Sequence, residues 1–386
     1  MALFSIRNAS PICYKELASL RFVTPVLPFF LRIYSDFFMT FSLRRISVLS
    51  ALLLVAIIGW YIGCNREKTE SPAPEKPVAS AQPAIPPAPV PGFDANRAFA
   101  DIVKQVDMGP REPNSPAHAK AVAWLNSELS ACTPNVELQH FTDPGYKPGE
   151  SLDLTNIIAS FNPSATWRVL ILTHFDSRPW ADEDPNPKNH NTPIPAANDG
   201  GSGTAVMLEL ARQMKDHPPP IGVDLFFDDG EDYGKYDVDK LDRYFLGAKY
   251  FVGAKAANYN PRCAILLDMV GDTNADFEPE ANSMQSASAW VNEIWNTAKE
   301  LGLSHFRTGH GADIEDDHLP LIQAGIPSVD IIDGDLVGHV SADPNRKYWH
   351  TLDDLPKHVA RTTLDEVGRL LLNLIYDRLP RDAQTL

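Results

Sequence analysis

The chain has 386 residues, 44% of them hydrophobic, and its 34 Lys and Arg against 50 Asp and Glu leave a formal net charge of −16. That length allows one large domain or two ordinary ones with a sizeable core. The acidity serves solubility and excludes nucleic acid as the expected partner, because phosphate binding needs a basic surface to displace counterions.

Residues 1–38 read as an over-extended gene start ahead of a second methionine, Met39. Residues 39–64 read as a signal: Met39-Thr-Phe-Ser-Leu-Arg-Arg is a basic n-region, and an apolar run follows from Ile46 to Gly63. The run closes on Tyr61-Ile62-Gly63-Cys64, which resembles a bacterial lipobox, so cleavage before Cys64 and acylation of that cysteine are expected. Tyr61 stands where that motif usually has leucine, and the alternative is an uncleaved anchor of about bilayer-spanning length. Both readings export the rest of the chain and tether it to a membrane, on the periplasmic or cell-surface side. Residues 65–92 are rich in Pro, Ala and Glu, a composition that forbids helix and favours extended, solvated linker.

From Phe93 to the carboxyl terminus the pattern is that of a single folded domain. Asp94 can cap a helix through about Val106, and Ser115 or Pro116 starts another to about Leu129. Strands are expected at Val136–Phe141 and Leu152–Phe161, then at Trp167–Thr173, Val223–Phe227, Ala264–Leu267 and Ser328–Ile332, whose nearly unbroken apolar runs suit strands buried on both faces. Helical patterns fall between them at Gly203–Lys215, Gly247–Ala257, Ser286–Leu301 and Leu319–Ala324, and a last amphipathic helix spans about Thr363 to Tyr376. Trp290 and Trp295 sit in such a pattern and read as core. Alternation of this kind predicts a three-layer α/β sandwich with a mostly parallel central mixed sheet flanked by helices, with functional groups beyond the carboxyl ends of its strands. Of the four cysteines, Cys132 and Cys263 lie in this part; they could pair, or stay separate buried thiols, and no CxxC spacing suggests structural zinc.

Five short motifs put an acid or an imidazole right after an apolar strand or before a helix: Thr173-His174-Phe175-Asp176-Ser177, Ala197-Asn198-Asp199-Gly-Gly-Ser-Gly, Asp228-Asp229-Gly230-Glu231-Asp232, Leu267-Asp268-Met269, and Tyr348-Trp349-His350-Thr351. Singly, each is a turn or cap residue or a structural histidine, and Asp199 could simply cap the helix behind it. Together, imidazole plus carboxylate is a donor set that suits zinc while leaving room for water or substrate. The run Asp182-Glu183-Asp184 could bind calcium but reads better as a solvated acidic loop, and the Gly200–Gly203 stretch lacks phosphate-loop spacing.

In that order the motifs resemble the metal sites of the M28-type zinc aminopeptidases and their relatives, the animal-type glutaminyl cyclases, over about Phe93 to the carboxyl terminus. Ile314-Glu315-Asp316-Asp317-His318 looks like the Ile-Glu-Asp-Asp-His signature of the cyclases, Trp349-His350 matches their tryptophan before the last ligand, and residues 176–193 are similar to a long loop of bacterial members. The resemblance implies one zinc per chain on Asp199, Asp232 and His350. It further implies Glu231 as acid/base, with Asp268 and Asp316 in a shared proton network, and Trp349 as a wall of the pocket. His174 and Asp268 stand where the two-zinc aminopeptidases bind a second metal, and His174 and Asp176 are possible second-metal or supporting residues. Two departures concern the pocket. Asp330 follows Gly325-Ile326-Pro327 where the animal enzymes have a pocket histidine, and Tyr233 and Tyr236 replace their tryptophan after the Glu-Glu pair as candidate substrate contacts.

The implied activity is cyclisation of an amino-terminal glutamine of peptides and proteins to pyroglutamate, with release of ammonia. Two rivals stand beside it: a two-zinc aminopeptidase, in which Asp199 bridges the metals and Glu231 activates water, and a tethered peptide-binding lipoprotein without activity.

Overall fold

The computed structural model of the chain describes residues 85–235, 238 and 241–382. The expected signal and most of the expected linker therefore lie outside the described residues, as does Tyr236; among the described residues no helix is long and apolar enough to cross a membrane.

Helix α1 (Ala95–Asp107) begins where Asp94 accepts hydrogen bonds from the amides of Asn96 and Arg97, and α2 (Pro116–Ser130) begins at Ser115, whose hydroxyl takes the His118 amide. Strands β1 (Val136–Pro144) and β2 (Ser151–Phe161) form an antiparallel hairpin. Then follow β3 (Arg168–His174), α3 (Gly201–Asp216), β4 (Gly222–Asp228), α4 (Leu246–Ala254), β5 (Ala264–Asp268), α5 (Ala281–Glu300), α6 (His318–Gln323), β6 (Ser328–Ile332) and α7 (Arg361–Asn373). Helix α4 stops three residues short of expectation, because Lys255 leaves the helical region (φ −58°, ψ 145°). At the other end of the domain α7 passes into a π-helical turn, Leu374–Arg378.

The six strands form one sheet in the order β1-β2-β4-β3-β5-β6, antiparallel at β1-β2 and β2-β4 and parallel elsewhere. The mostly parallel mixed sheet and its flanking helices are as the sequence predicts. Alternate residues of each central strand serve opposite faces. Val169, Ile171, Val223, Leu225, Ile265 and Leu267 join the larger core under α1, α2, α3, α5 and α7, while Leu170, Leu172, Phe226, Ala264 and Leu266 meet α4 and α6. Trp290 and Trp295 are core residues, and Cys132 and Cys263 are unpaired thiols. The last residues of the expected linker lie against the domain: Ile85 and Ala88 pack on the core, and the Ala88 amide donates to the Tyr376 carbonyl at 2.7 Å.

A buried ion pair ties α2 to the end of β4. His118 Nε2 donates to both Asp229 oxygens at 2.9 and 2.8 Å, and the Thr155 amide donates to the same carboxylate at 2.6 Å. Burial works against the imidazolium, but the Asp229 carboxylate outweighs it and raises the His118 pKa above its ordinary value. The folded state thus binds this proton more tightly than the unfolded chain does. Its contribution is fully present below about pH 6.5 and is lost as pH rises through the raised folded value. Urea unfolding at a series of pH values is expected to show stability falling over that window, with the fall reduced in His118→Gln.

Candidate metal centre and active site

Parallel strands deliver their last residues to one end of the sheet, and four elements meet there. His174 is the last residue of β3, and Asp268 is the last of β5. Glu231 and Asp232 lie just beyond β4, past a turn in which Gly230 takes φ 76°. Asp199 immediately precedes Gly200, the residue before α3. Gly200 has φ 70°, and a Cβ there would lie 2.7 Å from the His174 ring, so glycine alone brings this loop onto the histidine. Asp199 does not cap α3, whose start has no side-chain cap. Its backbone is held instead by Asp354, which accepts from the amides of Asn198 at 2.9 Å and Asp199 at 3.1 Å. The Asn198 side chain carries the loop further, donating to Tyr348 Oη at 3.1 Å and accepting from the Gly271 amide at 2.8 Å.

Two overlapping donor groups result: Asp199, Asp232 and His350, and His174, Asp199 and Asp268, each with candidate ligand atoms within 4.8 Å of one another. In the first, His350 Nε2 lies 3.6 Å from Asp199 Oδ2 and 3.4 Å from Asp232 Oδ2. In the second, His174 Nε2 lies 3.2 Å from Asp199 Oδ1 and 3.3 Å from Asp268 Oδ1. The groups differ in what their atoms already have. The His174–Asp268 contact is a hydrogen bond at 3.3 Å, whereas Asp199 Oδ2 and Asp232 Oδ2 are buried without a hydrogen bond and have His350 Nε2 at 3.6 and 3.4 Å. Asp176 joins neither group. It is wholly buried, accepts from the Glu231 amide at 3.2 Å and lies 3.5 Å from His174 Nδ1, and so supports both residues from behind.

A cavity of about 780 Å³ opens above the first group, lined by Asp199, Glu231, Asp232, Asp268, Asp316, Trp349 and His350 among others. Trp349 stacks on the His350 ring at 3.6 Å between centroids and 21° between planes. His350 itself has φ 53°, a strained backbone that turns its imidazole toward the carboxylates. Burial, then the neighbouring Asp232, pushes the Glu231 pKa well above the usual carboxylate range. Asp316 is pushed up by burial and by Asp268, and Asp317 by burial and by Asp228. Asp232 goes the other way: burial opposes its ionisation, but His350 and Arg178 outweigh that and hold it well below the usual range.

Two expected substrate contacts lie elsewhere. Tyr233 does not line the cavity; it packs among Leu152, Leu154, Leu246, Tyr146 and Trp180, and its hydroxyl accepts from the Tyr146 amide. Trp180 and Lys235, not singled out in the sequence, border the cavity in its stead. Asp330 is completely buried in β6 and does not line the cavity; its Oδ2 lies 3.8 Å from His318 Nδ1. It shares a face of the strand with Ile332, which lines the cavity, but it sits two residues deeper and is wholly covered, beside the charges of Asp316 and Glu280. The Asp182-Glu183-Asp184 loop is also less solvated than its composition suggests. Asp182 pairs with Arg178, and Asp184 accepts the amides of Asn186 and Leu352. Arg178 and Asp354 escaped the sequence reading because nothing local marks an arginine or a second aspartate in a turn as the partner of a distant loop.

Residues 156–375 match the sequence model of peptidase family M28. Over 303 residues, 70% of this chain and 78% of the relative, the sequence is 25% identical to glutaminyl-peptide cyclotransferase of Bos taurus. Among solved structures, Tannerella forsythia glutaminyl cyclase is similar at a TM-score of 0.70 and 41% identity, covering 74% of this chain and 99% of that one. A Zn-dependent exopeptidase from Parabacteroides distasonis is similar at a TM-score of 0.71 and 39% identity, covering 75% and 100%.

The role of Asp354 can be measured directly. Asp354→Asn places a donor against an amide of the 198–199 loop, and a net loss of about 1–3 kcal/mol is expected for the orphaned group. Thermal melts should show this destabilisation, and metal analysis of the folded protein should show weakened zinc retention through the displaced Asp199.

Proposed function

Because the chain belongs to peptidase family M28, and within it to the branch that holds the bacterial glutaminyl cyclases, we propose that it cyclises the amino-terminal glutamine of peptides and proteins to pyroglutamate. The observation that carries this reading is the pair of buried carboxylate oxygens without hydrogen bonds that converge on His350 at the cavity wall. Asp199 Oδ2 and Asp232 Oδ2, buried without a hydrogen bond and converging on His350 Nε2 at 3.6 and 3.4 Å, fit a cation. Imidazole with two carboxylates is a zinc-type donor set, and one zinc per chain on Asp199, Asp232 and His350 follows. Such a zinc would supply Lewis acidity to the substrate's side-chain carbonyl.

The chain's own residues account for the rest. Trp349 walls the cavity beside His350 and can hold the flexible glutamine side chain folded toward its own α-amine, an orientation that supplies part of the rate. The amine nitrogen attacks the side-chain carbonyl carbon, and the bond from that carbon to the amide nitrogen breaks. One proton must leave the attacking nitrogen and one must reach the departing nitrogen, so that ammonia is released. Glu231, at the cavity wall and with a raised pKa, suits both transfers in turn. Asp316, raised by burial and then by the Asp268 charge, keeps a proton within reach because like charges that close do not all ionise. Export and tethering through residues 39–92 would place this chemistry on peptides outside the cytoplasm, with a membrane and no nucleic acid as the chain's other partner.

One observation favours the aminopeptidase reading: Asp199 is shared by both donor groups, as a bridging ligand of two metals would be. A peptide beginning Gln-Ala separates the two. With the full chain, mass spectrometry is expected to show loss of ammonia at about one zinc per chain. Glu231→Gln is expected to lower the rate by about 10²–10⁴-fold with zinc retained. Release of free glutamine at two zincs per chain would establish the peptidase instead.

A further inference from the structure

Arg178 is only 2% exposed, yet its guanidinium is filled on every side. Nη1 donates to Asp232 Oδ1 at 2.6 Å and to the Asp232 carbonyl at 3.2 Å. Nε and Nη2 donate to the two oxygens of Asp182 at 2.7 and 2.6 Å, and Nη2 also reaches the Tyr244 hydroxyl at 3.3 Å. Asp182 in turn faces His350, with Oδ1 3.7 Å from Nδ1. One ion pair therefore stands behind two members of the outer donor group, and it does so through Asp232 Oδ1 and His350 Nδ1. The atoms left over, Asp232 Oδ2 and His350 Nε2, are the two that lie 3.4 Å apart toward Asp199.

We propose that Arg178 and Asp182 form a clamp of positioning residues that limits Asp232 to one-oxygen ligation and fixes the His350 face that meets the metal. The clamp rests on the assignment of zinc to Asp199, Asp232 and His350 made above. A carboxylate free at both oxygens can chelate through both, raising the coordination number and filling the position a substrate carbonyl needs. A guanidinium bonded at 2.6 Å takes one of those oxygens out of use. The fork is itself held flat by its two-point contact with Asp182, so the lone Asp232 oxygen is aimed as well as selected. A carboxylate facing the far nitrogen of a ligating imidazole favours the tautomer with the proton on that nitrogen, leaving Nε2 to ligate. Lysine, a point charge without the planar fork, could neutralise Asp232 but could not hold Asp182 and Asp232 in this relation.

The full chain tests this through Arg178→Lys, Asp182→Asn and Asp232→Asn. Three readouts apply: zinc affinity by competition with a chromogenic chelator, the visible spectrum of the Co²⁺-loaded protein, and melting of the metal-free form. Asp182 is 41% exposed at its side chain, so Asp182→Asn is expected to fold even where a change at Arg178 does not. The clamp predicts zinc binding weakened about 10–100-fold in Arg178→Lys and less in Asp182→Asn. It also predicts weaker Co²⁺ bands in both, as coordination rises above four. Asp232→Asn is expected to lose zinc outright. Unchanged zinc affinity and an unchanged Co²⁺ spectrum in both clamp variants, whatever their melting temperatures, would overturn the clamp while leaving the metal assignment standing. Retention of zinc by Asp232→Asn would overturn the metal assignment and the clamp with it.

Discussion

At one end of this sheet Asp176, Asp199, Asp228, Asp229, Asp232, Asp316, Asp317 and Asp354, from segments far apart in the chain, are all buried. Buried carboxylates are tolerable only when hydrogen-bonded, matched by a cation or protonated, and the site uses each of these solutions at a different residue. Backbone amides answer Asp176 and Asp354. Cations answer Asp229, through His118, and Asp232, through Arg178. Retained protons answer Glu231, Asp316 and Asp317, whose pKa values burial and mutual repulsion drive upward. Asp228, with neither oxygen hydrogen-bonded, has its pKa pushed up to about 7 by burial. Asp199 Oδ2 and Asp232 Oδ2, also without a hydrogen bond, face His350 Nε2 at 3.6 and 3.4 Å, where a metal would satisfy both together.

The same crowding explains the backbone around the site. Ala196, Met269 and His350 all take positive φ without being glycine, alongside Gly200 and Gly230. Such residues persist only where their surroundings over-determine them. Here the surroundings are specific: Arg111 donates to the carbonyls of Phe175, Pro195 and Ala196, and Tyr348 donates to Asp272 at 2.5 Å from the turn that carries His350. The strain brings loops from four elements close enough for their side chains to share one donor atom set. Groups held this way, on strand ends and helix starts packed from both faces, lose little freedom on binding a metal or substrate.

The relation to peptidases and to cyclases is one of shared apparatus with a choice of nucleophile. Both chemistries need a polarised carbonyl, a carboxylate to carry a proton, and a pocket for an amino-terminal residue. What separates them is whether the attacking atom is water or the substrate's own amine.

Much of this was legible in the chain. Continuous apolar runs ending in an acid or imidazole place β3, β4 and β5 and the groups at their tips, because strand periodicity and burial are local properties of sequence. His174, Glu231, Asp232 and Asp268 were legible for that reason, Asp199 and His350 as the acid and imidazole of accompanying motifs, and Asp316 only through the resemblance to the cyclase signature; the structure brings all of them together. Tyr233 and Asp330 were not: each is a plausible residue type in its motif, but Tyr233 is turned into a cluster of its own and Asp330 is covered two residues below the strand end, and packing alone decides both. Arg178, Asp182 and Asp354 were invisible as partners, since each acts on a residue that is adjacent only after folding. Sequence by itself determined which groups stand at the ends of which strands, because backbone geometry carries that order. Only the tertiary structure decided which carboxylates are answered by a cation, an amide or a retained proton, because that depends on distances between loops that share no sequence neighbourhood.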